Sequence, residues 1–62
     1  MTHVIIRDTA YYLASPAQGM PPDGEFKKGT KVKMLEDAGS YCFVMSEDNI
    51  EAWVATDDLE RL

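Results

Sequence analysis

The sequence predicts an all-β domain, five short strands closing into one small barrel with a long loop between the first two. Three observations carry that expectation. Phe26-Lys-Lys-Gly29 ends a loop and is followed from Thr30 to Glu36 by alternating polar and apolar residues, the period of a half-buried strand. Ala52-Trp-Val-Ala55 returns after a tight turn, and no window sustains a helical period.

The elements follow in order. Val4-Ile-Ile6 is a short β-branched run, and Ala10-Tyr-Tyr-Leu13 supplies a second. From Ala14 to Glu25 the chain is rich in Ser, Pro, Gly and Gln, which predicts a long loop with no regular ladder. Pro21-Pro22-Asp23-Gly24 predicts a turn at its end, with proline second and glycine fourth. A loop of this length in so small a domain is a common place for function.

Between Thr30 and Glu36, Val32 and Met34 face inward with Leu35 beside them, and these three with Val54 are the expected core. Asp37-Ala-Gly-Ser40 connects to a strand from Tyr41 to Met45, where Cys42 and Val44 share one face and Tyr41 and Phe43 the other. Glu47-Asp-Asn-Ile50 is a hairpin signal, because Asp and Asn tolerate positive φ. Glu51 to Ala55 returns antiparallel. Thr56-Asp-Asp58 is expected to cap a single helical turn through a side-chain oxygen, and Leu59 to Leu62 forms a short last strand. Closing the sheet would remove edges that invite aggregation.

Sixty-two residues allow one domain, and a chain of this size buries only about 60% of the surface its unfolded form exposes. Neither a disulfide nor a repeated Cys/His spacing supports it, since Cys42 is alone. Eleven acids against six bases give a formal charge of −5, a field that repels phosphate backbones and suits a basic protein or peptide partner. Lys27, Lys28, Lys31 and Lys33 cluster, but their alternation with Val32 and Met34 reads as the solvated side of a strand, so no nucleic-acid partner is expected. The first residues, Met-Thr-His-Val-Ile-Ile-Arg, form no secretory signal, and no segment approaches membrane-spanning length. With a single cysteine, these features lead to the expectation of a cytoplasmic chain with no membrane partner.

In order and spacing the motifs resemble the Src-homology-3 (SH3) family over residues 8–62. Ala10-Tyr11-Tyr12 is similar to that family's Ala-Leu-Tyr-Asp-Tyr segment, Phe26-Lys-Lys-Gly29 with Val32, Met34 and Leu35 to its loop end and second strand, and Gly39-Ser-Tyr41 to the approach to its aromatic pair. Ala52-Trp-Val-Ala-Thr-Asp-Asp-Leu59 resembles its Gly-x-(Ile/Val)-Pro-Ser-Asn-Tyr-Val ending. The Gly-Thr-x-Val strand and the aromatic-Val return also resemble bacterial SH3-type modules, without their Leu-Asn-Val-Arg opening. The resemblance implies an SH3-like barrel whose aromatic strip binds protein ligands, with Tyr12 at the first groove tyrosine and Tyr41 at the exposed tryptophan. Ala14, Ala55 and Asp58 depart from the groove pattern, which counts against standard proline-rich ligands.

The expected function is therefore a non-catalytic protein-protein interaction module that binds through Tyr12, Tyr41, Trp53, Met20 and Pro21. A structural or self-associating subunit and a weak proline-rich peptide binder are the alternatives. Trp53 either contacts a partner or covers Met45 or Phe43 at the barrel rim. Met20 is expected to anchor the loop onto the barrel, with an adaptable partner contact as its other role. Cys42 reads as a small buried hydrophobe and His3 as a solvated side chain near the terminus. Ser15, Ser40 and Ser46 lack the spacing of a nucleophile with its base, so no enzyme is expected. Glu47-Asp48 and Asp57-Asp58 lack the ligand density of a calcium loop, and neither metal nor cofactor is expected.

Overall fold

A computed structural model describes residues 1–16 and 19–62. Among these residues it is all-β, with seven strands: β1 His3–Ile5, β2 Thr9–Tyr11, β3 Gly24–Phe26, β4 Lys31–Asp37, β5 Tyr41–Ser46, β6 Glu51–Ala55 and β7 Leu59–Arg61. A 3₁₀ turn, Thr56–Asp58, joins the last two. The strands form a five-stranded antiparallel sheet in the order β6-β5-β4-β1-β7 and a two-stranded sheet of β2 and β3.

This corrects the expected five-stranded closed barrel. The larger sheet does not close on itself, and its outer strands are β6 and β7. Among the described residues, the smaller sheet is joined to it through the backbone at one antiparallel bridge, between Tyr12 and Trp53, in which each amide donates to the other's carbonyl, at 3.0 and 2.7 Å. The long loop lies between β2 and β3 rather than between the first two strands. Its far end was expected to hold no ladder, yet Gly24 and Glu25 pair with Tyr11 and Ala10. β3 has only three residues, one of them Gly24, so it carries too little alternation to stand out from the loop, and its pairing with β2 is non-local.

The core follows the alternation of the central strands. Ile5, Val32, Cys42, Val44, Ala52 and Val54 are fully buried and Phe26 nearly so, with Tyr11, Met34, Ile50 and Leu59 packed against them. The expectation that Leu35 belongs with them fails, since it is 41% exposed. With Val32 and Met34 inward, alternation already turns Leu35 outward, and the register then shifts at this residue. Met34 pairs with Val44 and the next pair is Glu36 with Phe43, so Leu35 is the extra residue of a β-bulge. Without it Glu36 would continue the inward phase of Val32 and Met34, and burying an unpaired carboxylate is costly.

The β5–β6 hairpin turns as expected at Asn49, whose φ is 65°. Ser46, almost fully buried, holds both ends of that turn: its amide donates to the Ile50 carbonyl at 2.9 Å and its Oγ accepts from the Ile50 amide at 3.2 Å. The helical turn after β6 differs from expectation in its cap. Ala55 stands at the N-cap with no side-chain bond, while the Thr56 hydroxyl donates to the Gly39 carbonyl and its amide donates to Ser40 at 3.0 Å. Thr56 thereby ties the β4–β5 connection to the end of β6.

Candidate functional site

The outward phase of β5 and β6 sets up an aromatic surface. Because Cys42, Val44, Ala52 and Val54 take the buried side, Tyr41, Phe43, Met45 and Trp53 emerge on the other. Phe43 and Trp53 are directly opposed across the two strands, their ring centroids 5.1 Å apart and tilted by 45°. Trp53 therefore covers Phe43, one of the two neighbours expected beneath it, and stays half-buried.

Tyr12 joins this surface from the smaller sheet. Its backbone is bonded to Trp53, and its ring meets that of Tyr41 edge to face, with centroids 6.4 Å apart. Such aromatic pairs contribute about 0.5–1.5 kcal/mol beyond the area they bury. Tyr41 is 36% exposed, so the pair remains open to solvent on one side.

Beyond Tyr12 the long loop forms a shallow cleft of about 250 Å³, lined by Tyr12, Leu13, Ala14, Ser15 and the run from Met20 to Asp23. Met20 and Leu13 are 57% and 56% exposed. Met20 accordingly does not anchor the loop by burial, the role expected for it. Asp23 does that work instead: its carboxylate accepts from the Leu13 amide at 2.8 Å, and its own amide donates to the Tyr11 carbonyl at 2.9 Å. The expected Pro21–Gly24 turn is replaced by this closure, with Asp23 at a bend and Gly24 already in β3.

The fold thus brings the five expected residues into one region, with Tyr12 as their common neighbour. It touches Tyr41 by its ring and Trp53 by its backbone, and it lines a cleft with Met20 and Pro21. Leu13 and Phe43 belong to the same region in addition to those five. The alternation of Tyr41 and Phe43 carried a signal for Phe43, whereas Leu13 reads from sequence as one more strand residue.

The ion pairs among the described residues involve other side chains. Arg7 bonds both the Asp58 carboxylate and the Asp57 carbonyl, joining the β1–β2 connection to the 3₁₀ turn. The Thr9 hydroxyl and the Arg7 guanidinium hold the Asp58 carboxyl below its usual range. Asp58 therefore has its carboxylate engaged within the chain. On the other sheet, Glu25 and then Asp8 raise the pKa of the exposed Lys27 ammonium, which lies 2.5 Å from Glu25 and 3.8 Å from Asp8. Lys31 and Lys33 are exposed on β4, as the solvated-strand reading expects. Cys42 is buried, as expected, with its Sγ 3.2 Å from Thr56 Oγ1. Among the described residues no helix is long and apolar enough to cross a membrane.

No family model, curated protein or solved structure matches the chain.

Proposed function

We propose that this chain is a non-catalytic interaction module of SH3-like type that binds a protein or peptide through the surface centred on Tyr12. One observation carries the reading: the Tyr12–Tyr41 edge-to-face pair is contiguous with the Phe43–Trp53 pair on one side and with the exposed Leu13 and Met20 side chains of the loop cleft on the other. Half-buried and exposed aromatic side chains beside an apolar cleft are the composition of a binding hot spot. The SH3-like part of the reading is supported by the order and spacing of the sequence motifs over residues 8–62. Ala55 and the internally engaged Asp58 argue for a ligand other than a standard proline-rich motif.

The reading is tested by capture on immobilised wild type and Tyr41→Ala chains, followed by titration of the captured protein into the ¹⁵N-labelled domain. The expected result is loss of capture by the variant and amide shifts at Tyr12, Tyr41 and Trp53. Equal capture, or shifts confined to other residues, would refute the placement. Enrichment of proline-spaced sequences on a peptide array would instead establish the proline-ligand alternative, and concentration-dependent sedimentation of the isolated chain would establish self-association.

A further inference from the structure

A second cleft, of about 500 Å³, lies between β3 and the β5–β6 hairpin. It is separate from the aromatic surface because Tyr11, which lines it, and Tyr12 alternate along the chain: Tyr11 packs on Phe26 with ring centroids 4.5 Å apart, whereas Tyr12 turns to Tyr41. Half-buried Tyr11 and Ile50, with the buried Phe26, supply its apolar lining. Glu25, Glu47 and Asp48 supply carboxylates.

The charges in this cleft do not cancel. Lys27 also lines it, but its ammonium is held by Glu25 and lies near Asp8. Among the described residues, Glu47 and Asp48 have no ion pair and their carboxylates accept no hydrogen bond from protein. Both are exposed on the hairpin, so two uncompensated negative charges stand beside an aromatic and aliphatic wall. A guanidinium suits that combination better than any other common side chain, since its flat face stacks on an aromatic ring while its edge donates to carboxylate oxygens.

We propose that this cleft is a second binding site, independent of the Tyr12 surface, and that its occupant is an arginine side chain of a basic peptide segment. The guanidinium stacks on Tyr11 with its edge toward Glu47 and Asp48, and the arginine methylenes pack against Ile50. The chain's net charge of −5 draws such a segment toward it, and added salt weakens the attraction.

The test titrates the peptide acetyl-Gly-Arg-Gly-amide into the ¹⁵N-labelled chain at low ionic strength, with the citrulline peptide as its neutral isostere. Expected are saturable shifts at Phe26, Glu47, Asp48 and Ile50 with Tyr12 and Tyr41 unmoved, and binding about tenfold weaker for the citrulline peptide and for the doubly substituted Glu47→Gln, Asp48→Asn chain, the factor that corresponds to about 1.4 kcal/mol. Tyr41→Ala leaves these shifts unchanged, which separates this site from the aromatic surface. Equal response to arginine and citrulline, shifts centred on Tyr12, or no saturable shift would each overturn the proposal, and the wild-type comparison of the two peptides decides the matter even if the variant folds poorly.

Discussion

Tyr11 lies directly across from Gly24 in the smaller sheet, its ring so close over the glycine that a Cβ there would stand 2.5 Å from the phenol carbon and oxygen. The ring then reaches the diagonal neighbour Phe26, the geometry by which an aromatic side chain covers an opposing glycine in a β-ladder. Gly24→Ala must displace that ring, and overpacking of this kind costs about 1–3 kcal/mol. For a domain this small, each kcal/mol corresponds to a fall of about 4–8 °C in Tm, measurable by calorimetry. An unchanged Tm would show that Tyr11 moves aside freely.

Leu35 and Ile5 make a paired prediction about the core. Leu35→Ala removes an exposed side chain from a bulge and should change stability by no more than about 0.5 kcal/mol. Ile5→Val deletes one methylene from a fully buried side chain and should cost about 0.5–1.5 kcal/mol. Urea denaturation of both variants checks the order. A larger loss at Leu35 would mean that the bulge is misplaced.

Asp58 links stability to pH. Its folded pKa is depressed below 3.8 by Thr9 and Arg7, so the unfolded chain binds the proton more readily. Its contribution is complete above the unfolded value and disappears as pH falls through the lower, folded value. Asp58→Asn should therefore be less stable than wild type near neutral pH, and the gap should narrow as the solution is acidified below about pH 4. Thermal melts across pH 2–7 measure the gap, and a constant difference would remove the carboxylate from the account.

Asn49 holds φ at 65°, where a β-carbon is disfavoured by about 1–2 kcal/mol in residues without a short polar side chain. Asn49→Ala should destabilise by roughly that amount and Asn49→Gly by less. Comparing the two denaturation midpoints tests whether the hairpin depends on backbone conformation or on the asparagine amide.

Asp23 closes the neck of the long loop through the Leu13 amide. Asp23→Ala should accelerate hydrogen exchange at Leu13 by about tenfold or more, because a charge-assisted bond there contributes about 1.5–3 kcal/mol to local closure. Exchange at Val44 should change less. Unaltered exchange at Leu13 would assign the closure to the Tyr11 carbonyl contact instead.

Much of the larger sheet is legible in the residues. Glu51–Ala55 has the expected bounds, Cys42 and Val44 face inward together, and the turn falls at Asn49. These features depend on local alternation and on one residue's backbone tolerance. The closure by Asp23, the Thr56 contact with Gly39 and the pairing of Arg7 with Asp58 are not legible, since their partners lie 10, 17 and 51 positions away.

The sequence by itself determined an all-β chain and the inward phase of its central strands, because side chains alternate along a strand whatever its neighbours are. Only the tertiary structure decided that β2 and β3 form a separate sheet, that a bulge at Leu35 turns Glu36 out of the core phase, and that Tyr12 meets both Tyr41 and Trp53. Those outcomes rest on register between distant segments, and register is set by what each pairing buries.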